Sequence, residues 1–325
     1  MNTKTILLSV MSIMGMFSSL YAQKEPVDYV NPIIGTNGMG HTFPGACTPF
    51  GLIQLSPDTD TIPQNVNGEY QKRVYEYCAG YQYRDSTIVG FSHTHLSGTG
   101  HSDLGDILIM PTMGELQLNA GRSEYPDEGY RSRFRHETEK AVPGYYEVML
   151  DDYGIKAQMT ATQRVGVHKY TFPKEKDGHL ILDLVHGIYN YDGKVLWTDL
   201  RVENDTLLTG YRITNGWART NYTYFAISFS QPIQSYGYKD KEKVLYNGFW
   251  RRFNLEKNFP EINGRKVVAY FNFDTASHPE LVVKVALSAV STEGALKNLT
   301  KETSGKSFEE IAQYARSQWN KELNC

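Results

Sequence analysis

The sequence predicts a mainly β protein, a large antiparallel sandwich followed by helices at its C-terminal end. Strand-like segments follow one another between residues 131 and 290, and no helical crossovers separate them. Turn signals such as Asn263-Gly264 lie between these segments. After Ser291 the apolar residues recur at helical spacing. Consecutive strands without crossovers pair antiparallel, which favours a sandwich over a parallel sheet.

Length and composition bound the class of protein. The chain has 325 residues, a formal net charge of −3 and 13% aromatic residues. This length allows one large β domain or two ordinary ones. A charge so close to neutral gives no reason to expect a nucleic acid or an anionic membrane as a partner.

Residues 1–22 have the pattern of a secretory signal peptide. Lys4 supplies a positive charge, residues 6–17 form a short apolar core, and Ala22 precedes a plausible cleavage point at Gln23. No later apolar run reaches the roughly 18 residues of a membrane span. We therefore expect an exported bacterial protein, periplasmic or secreted, that does not enter a membrane.

Three cysteines, Cys47, Cys78 and Cys325, leave at least one thiol unpaired in an exported chain. Cys47 and Cys78 both flank glycine-rich turns, so a disulfide between them is one interpretation. Two free, partly buried thiols are the other, which we favour. Cys325 is the last residue, where we expect a frayed end.

The first third of the chain combines turns with short strands. Asn31-Pro32 and residues 35–40 cannot form a regular element. Early strands are predicted at 50–55, 78–83, 87–93, 106–112 and 114–118. A meander is predicted at 131–137, 144–150, 155–161, 165–172, 179–184, 195–203, 206–214, 222–229, 244–247, 267–273 and 281–290.

Two helices are predicted after the meander, at 293–301 and 307–323. Ser307 and Glu310 fit a capping box at the start of the second helix. Its apolar residues, among them Ile311 and Trp319, form one stripe that requires a packing partner. Either the stripe packs back on the sandwich, or this helix opens a further domain.

Residues 90–112 carry an unusual density of polar groups. His93, His95, His101 and Asp103 fit three interpretations: a metal site, ordinary polar packing of a buried turn, or the lining of a ligand pocket. Neighbouring serines and threonines favour the second and third interpretations over zinc. Asp103 and Asp106 have the look of a paired acid and base, but aspartates beside glycine more often bond their own backbone.

Several motifs resemble one family. They are YVNPIIGT at 29–36, HTFPGA at 41–46, PFG at 49–51, GFSHTHLSGTG at 90–100 and DLGD at 103–106. Together they are similar to the N-terminal domain of family 92 of the glycoside hydrolases, the calcium-dependent, exo-acting α-mannosidases. The similarity continues through PGYY at 143–146 and covers nearly the whole chain after residue 22.

The resemblance implies a β-sandwich of the supersandwich type, a linking helix and an (α/α)6 barrel. On that basis residues 23–290 are expected to form the sandwich and residues 291–325 the helical linker. The family's catalytic Glu and Asp and most of its calcium ligands lie in the barrel, so no catalytic or metal-binding residue is assigned here. We expect the substrate-shaping part of an inverting α-mannosidase, inactive alone, whose partners are a mannose-containing glycan and a helical catalytic half.

The resemblance also implies which loops line the pocket. The expected substrate-binding residues are His41, Phe43, Pro44, Gly45, Ala46, Tyr75, Tyr77, Cys78 and Tyr81, with His93 and His95 supporting them. Members that cleave α-1,2 links often place a Trp before the Cys-x-Gly-Tyr stretch, where this chain has Tyr75 and Tyr77. This departure puts α-1,2 specificity in doubt, although tyrosine rings also stack on sugars.

Two other functions stay open at this point. One is a stand-alone carbohydrate-binding sandwich without catalysis. The other is a metal hydrolase that uses the histidines of residues 93–101.

Overall fold

The computed structural model describes residues 24–98, 104–174, 178–240 and 260–325. The strands are, in chain order, β1 (Ala46–Cys47), β2 (Gln54–Asp58), β3 (Asn65–Val66), β4 (Glu69–Tyr70), β5 (Thr87–Ile88), β6 (Gly90–Ser92), β7 (Leu108–Met113), β8 (Ser132–Arg133), β9 (Lys140–Val142), β10 (Tyr145–Leu150), β11 (Ile155–Ala161), β12 (Val165–Thr171), β13 (Gly178–Asp183), β14 (Val195–Asn204), β15 (Leu207–Thr214), β16 (Asn221–Phe229), β17 (Ser235–Asp240), β18 (Glu261–Gly264), β19 (Val267–Phe273) and β20 (Glu280–Ser288). Two helices follow, α1 (Thr292–Thr303) and α2 (Phe308–Leu323).

The strands form two large sheets. A seven-stranded sheet has the order β1-β2-β6-β7-β13-β19-β17, and a nine-stranded sheet has the order β18-β14-β15-β16-β20-β12-β11-β10-β9. Neighbouring strands pair antiparallel, for example β12 with β20 from Val165–Ala286 to Thr171–Glu280. The predicted fold class, an antiparallel sandwich followed by C-terminal helices, is confirmed.

The main core fills the space between the two sheets. Along β10 the side chains of Tyr146, Val148 and Leu150 are buried while those between them are half-buried, as one-sided burial of a pleated strand requires. From the seven-stranded sheet Phe91, Ile109 and Phe271 join the same core. The long alternating strands therefore pack as the sequence pattern predicts.

A second, smaller core lies on the outer face of the nine-stranded sheet. Helices α1 and α2 cover it, and its buried members are Val165, Val167, Ala226, Ala286, Ala295, Leu299, Phe308 and Ile311. Ser291 caps α1 through Gly294 N–H (3.0 Å), and Ser307 with Glu310 forms the predicted capping box of α2. Phe308 and Ile311 of the apolar stripe of α2 thus pack back on the sandwich, while the interpretation that α2 opens a further domain stays a prediction.

Several predicted strands have different bounds. The segment 50–55 begins with a tight turn at Pro49-Phe50-Gly51, so the strand starts only at Gln54. The segment 78–83 is no strand, because a 3-10 helix, Lys72–Tyr77, leads into a buried turn there. Residues 114–118 are irregular, and 131–137 shortens to β8 before the 3-10 helix His136–Thr138. In these segments turns and tertiary contacts override the local pattern.

Other predictions lie outside the described residues: the signal peptide, His101, Asp103 and the strand at 244–247. None of the three cysteines forms a disulfide, so the interpretation that Cys47 pairs with Cys78 is wrong. In the described ranges no helix has the length and apolarity needed to cross a bilayer.

Candidate functional site

Three loops that carry the predicted substrate contacts meet at one end of the sandwich. The carboxamide of Gln82 accepts from Gly38 N–H (2.7 Å) and donates to the Gly38 carbonyl (3.0 Å), which joins the 75–83 loop to the 35–40 loop. Gly98 N–H donates to the His41 carbonyl (2.7 Å), which joins the third loop. The structure therefore brings His41, Tyr75 and His95 into one region although they are far apart in the chain.

A buried carboxylate lies beneath these loops. Asp58, at the end of β2, accepts from His95 Nε2 (2.8 Å) and from His186 Nε2 (2.7 Å), and all three side chains are almost fully buried. Burial alone would raise the pKa of Asp58, but the charges and hydrogen bonds of the two histidines hold it far below its usual value. The carboxylate is therefore a fixed anion that orders the loops.

His95 is bound on both sides of its ring. Its Nδ1 faces the Gln54 carbonyl at 2.7 Å, while Nε2 faces Asp58. Both partners are oxygen atoms that accept hydrogen bonds. The ring of Phe43 lies against His95 with a centroid distance of 5.6 Å. His95 thus supports the 41–46 loop from below, as the sequence-based interpretation of a supporting turn expects.

A second layer of ion pairs anchors His186 and the turn before β7. Asp183 accepts from the Tyr130 hydroxyl (2.7 Å) and from the backbone N–H of His186 (3.0 Å). The fully buried guanidinium of Arg212 lies 3.4 Å from Asp106 and donates to the His186 carbonyl. Burial lowers the pKa of Arg212, and the carboxylates of Asp106 and Asp183 oppose that shift.

His93 belongs to the core instead of the surface. Its Nδ1 donates to the Ile107 carbonyl (2.6 Å), so Nε2 accepts from His168 Nε2 (3.0 Å), and His168 Nδ1 in turn accepts from the Tyr170 hydroxyl (2.7 Å). Burial lowers the pKa of His93 to about 3 and that of His168 well below its usual value. The chain of hydrogen bonds therefore consists of neutral groups.

Of the expected substrate contacts, only three offer a surface to a ligand in this part of the protein. His41 and Tyr75 meet edge to face with centroids 4.8 Å apart, and Phe43 and Tyr75 are half-buried. His41 has a left-handed backbone (φ 53°), and its buried Nε2 has no hydrogen-bond partner within the described ranges. An unpaired buried donor or acceptor is costly, so this nitrogen marks His41 as a candidate ligand contact.

The other expected contacts are sealed within the chain. The Tyr77 hydroxyl donates to Asp85 (3.1 Å), and the Tyr81 hydroxyl donates to Glu139 (2.9 Å). The buried members of this group are Pro44, Gly45, Ala46, Tyr77, Cys78, Tyr81, His93 and His95. A Cβ on Gly45 would lie 2.2 Å from the Leu55 carbonyl, so this glycine permits backbone packing and does not face a ligand.

Sequence reasoning missed Asp58, His186, Asp183, Glu139 and Arg212. Asp58 and His186 lie 128 positions apart, and nothing local marks them as partners. The one available signal was an aspartate at the end of an apolar strand, which is repeated at Asp183 in the run HLILDLVHG.

The described residues do not form a metal site. They contain no group of three or more His, Cys, Asp or Glu arranged to hold an ion. Calcium takes six to eight oxygen ligands, whereas Asp58 and Asp183 are already bonded to histidine, tyrosine and backbone donors. His93 and His95 do not converge either, because one pairs with His168 and the other with Asp58. Within the described ranges, calcium and zinc therefore do not fit.

A cleft of about 710 Å³ opens between residues 63–65 and 190–195, with Arg265 and Lys266 on its rim. It borders the loop end, since Gln64 N–H donates to the Asn190 carbonyl and the Ile188 N–H to the Leu104 carbonyl. The loop end thus combines a small aromatic patch around His41 with an adjoining polar cleft.

Comparison with known proteins places this chain among carbohydrate enzymes. Residues 29–288 match the family model described as the glycosyl hydrolase family 92 N-terminal domain. A curated relative from Arthroderma benhamiae, named an uncharacterized secreted glycosidase, is 26% identical over 91% of this chain and 37% of its own length.

Solved structures give the same result. A family 92 α-mannosidase from Bacteroides thetaiotaomicron in complex with mannoimidazole is 40% identical, with a TM-score of 0.80, over 93% of this chain and 37% of that protein. An inverting family 92 mannosidase from the same organism is 28% identical, with a TM-score of 0.69, over 91% and 36%. The chain therefore spans less than two fifths of the length of these relatives.

Proposed function

The chain belongs to family 92 of the glycoside hydrolases, whose N-terminal domain it carries, and we propose that it shapes the mannose pocket of an exported α-mannosidase. The observation that carries this proposal is the loop end, where a buried Asp58–His95–His186 cluster holds His41, Phe43 and Tyr75 at one surface. Aromatic faces beside an unpaired polar atom are the usual chemistry of sugar recognition.

The proposal gives this domain a binding role without catalysis. An inverting glycosidase needs an acid and a base about 6.5–9.5 Å apart, with room for a water molecule next to the sugar. The buried carboxylates at this end, Asp58, Asp106 and Asp183, are held by histidine, arginine, threonine and tyrosine. We assign the acid, the base and any calcium to a helical part outside the 325 residues. The 325 residues alone would then not turn over substrate.

Tyr75 is the sugar-stacking residue in this proposal. It is the half-buried ring next to His41 and occupies the loop where α-1,2-specific relatives were expected to carry a tryptophan. A tyrosine presents a smaller face, so the linkage cleaved need not be α-1,2. Export is supported by the signal-like residues 1–22 and by the relative named a secreted glycosidase.

The test compares the chain alone with a fusion in which residues 24–325 replace the matched segment of the 40% identical α-mannosidase. We expect no release of nitrophenol from nitrophenyl α-mannoside by the chain alone and clear release by the fusion. In the fusion, His41→Ala should lower kcat/KM by about tenfold to a hundredfold, the size of a lost polar contact to a sugar.

Tyr125→Ala is the matched control, because Tyr125 is exposed and its ring pairs only with the side chain of Arg122 among the contacts seen. It should leave kcat/KM unchanged. Hydrolysis by the 325 residues alone would overturn the assignment of catalysis to the helical part. If the chain alone binds mannose tightly in calorimetry and the fusion has no activity, a stand-alone sugar-binding sandwich is favoured.

A further inference from the structure

One aromatic side chain stands out on the surface of this domain. Phe50 lies in the turn between β1 and β2, and 95% of it is exposed, more than any other large apolar residue in the described ranges. Exposed single hydrophobic residues are common, but a ring with almost no contact to its own chain is not. Its exposure leaves most of the ring's surface in water.

The backbone of Phe50 is also in an unfavourable conformation. Gly51 N–H donates to the Thr48 carbonyl (3.1 Å), so Phe50 occupies the third position of a β-turn, with φ at +58°. Pro49 suits the position before it, but a left-handed third position normally requires glycine. The left-handed conformation is unfavourable for a residue with a side chain, because Cβ then lies too close to the following carbonyl oxygen.

The turn is held rigidly in place. Gln54 Nε2 donates to the Gly51 carbonyl (2.8 Å), and Leu52 N–H donates to the Gln163 carbonyl (2.7 Å). A Cβ on Gly51 would lie 2.8 Å from the Thr48 hydroxyl oxygen, so the neighbouring position is closely packed. The backbone that carries Phe50 is therefore fixed by hydrogen bonds on its C-terminal side.

The turn lies beside the last turns of α2. The indole N–H of Trp319 donates to the Cys47 carbonyl (2.6 Å), three residues before Phe50. Leu52 and Leu323 are both exposed, at 42% and 39%. The region therefore has three apolar side chains, and a polypeptide that continues from α2 would start next to them.

We propose that Phe50 anchors the helical part of the enzyme to the sandwich. This inference rests on the proposed function, because its occupant is the helical part that the relatives have in addition to the segment matched here. The left-handed backbone and the exposed ring of Phe50 both destabilise the sandwich on its own. Burial of the ring by a partner would offset both effects. Because the β1–β2 turn lies beside the end of α2, a helical part that follows α2 would reach Phe50 without a long linker.

The first test uses the chain alone. With no packing to lose and strain to relieve, Phe50→Gly should leave Tm unchanged or raise it by up to about 2 °C. Asn67→Gly is the matched control, because Asn67 is an exposed, left-handed residue (φ 53°) in another turn. A fall of Tm by more than about 3 °C for Phe50→Gly would show that the ring packs within the chain and would overturn the proposal.

The second test uses the fusion with the helical part of the relative, followed by calorimetry instead of activity. Relative to its effect in the chain alone, Phe50→Gly should lower the temperature of the sandwich transition in the fusion by about 3 °C or more, because the fusion loses the interface anchor while the relief of backbone strain is the same in both. Phe50→Tyr keeps a ring and should behave like the parent, as should Asn67→Gly. An equal shift of the transition for Phe50→Gly in the fusion and in the chain alone would contradict the anchor.

Two other occupants give different results. A rise of KM for nitrophenyl α-mannoside in Phe50→Gly, with an unchanged transition, would make Phe50 a sugar contact. A dimer of the isolated chain in sedimentation, dissolved by Phe50→Gly, would make it a self-contact. Either result rejects the proposal. A fusion that unfolds cooperatively but has no mannosidase activity would instead reject the proposed function, without contradicting the proposed role of Phe50.

Discussion

At the scale of single residues, four buried histidines of this protein form two kinds of contact. His93 and His168 are buried in the core in contact with each other, and the neutral rings satisfy one another and the Tyr170 hydroxyl. His95 and His186 are buried against the carboxylate of Asp58. Burial lowers the pKa of both rings in the first pair, while the rings of the second pair contact a buried carboxylate.

The neutral pair makes the stability depend on pH. The folded pKa of His93, about 3, lies below the value of about 6.5 in an unfolded chain, and that of His168 is lowered too. Between those values the unfolded state binds more protons than the folded state. The contribution of each histidine is therefore fully present above pH 6.5 and is lost as the pH falls toward 3.

We expect His168→Phe to flatten this dependence, because one of the two titrating rings is removed. Between pH 6 and pH 4.5 the free energy of unfolding should fall less steeply than in the parent, by about 1.4 kcal/mol per pH unit. Urea unfolding at several pH values measures the slope. His278→Gln, at an exposed histidine, is the control. Equal slopes for His168→Phe and the parent would show that His168 is charged in the folded state.

At the scale of elements, helix α2 is joined to the sandwich along its whole length. Phe308 and Ile311 pack on the nine-stranded sheet, and Ala315 lies against Gly144, where a Cβ would approach within 2.7 Å. Arg316 pairs with Glu25 and Asp28, both at 2.8 Å, before Trp319 reaches Cys47. The helix thus bridges the nine-stranded sheet, the N-terminal segment and the β1–β2 turn.

The last of these contacts is open to a chemical test. Burial raises the pKa of the Cys47 thiol to about 12, so it reacts slowly in the native protein. Trp319→Ala removes the contact next to Cys47, and a local loss of about 2 kcal/mol corresponds to about thirtyfold faster labelling. The rate is measured with Ellman's reagent in a Cys325→Ser background, because Cys325 is exposed.

Tyr314→Ala serves as the control on the same helix, since this side chain is 37% exposed and pairs with Lys306. It should not change the labelling of Cys47. Cys78 is fully buried and should stay unreactive in every variant. Equal labelling rates in Trp319→Ala and the parent would contradict the prediction, because they would show that Trp319 does not protect Cys47.

At the scale of the whole molecule, the sheets and the two helices form one packed body. The outer face of the nine-stranded sheet carries Val165, Val167, Ala226 and Ala286, which pack against Ala295, Leu299, Phe308 and Ile311 of the two helices. A soluble protein rarely leaves such a continuous apolar patch exposed. The helices therefore belong to the sandwich energetically, although their chain position and their period set them apart.

We expect a chain of residues 24–290 to be less stable and to associate. Loss of Leu299, Phe308 and Ile311 should lower the free energy of unfolding by roughly 5 kcal/mol, at about 1.5–3 kcal/mol for each buried side chain. Urea unfolding and sedimentation measure both effects. A chain of residues 24–304, which keeps α1, should have a free energy of unfolding between those of the chains 24–290 and 24–325. Unchanged stability of the shorter chain would show that the sheets alone make the folding unit.

The antiparallel sandwich and the two helices could be predicted from the sequence, because both depend on local periodicity. Alternation along a segment such as β10 specifies one buried face, and a capping box with an apolar stripe specifies α2. The family motifs could also be recognised from the sequence, because they are contiguous runs such as HTFPGA. In contrast, the segment 78–83 alternates like a strand but is a turn.

Only the tertiary structure decided which polar groups meet. Asp58 and His186 are 128 positions apart, and the order of strands in the sheet, which local pattern does not encode, places them 2.7 Å apart. The same holds for His93, which reads like a pocket residue beside His95 and yet pairs with His168 in the core. Periodicity fixes which face of a strand is buried, but the neighbour across that face comes from the packing of distant strands.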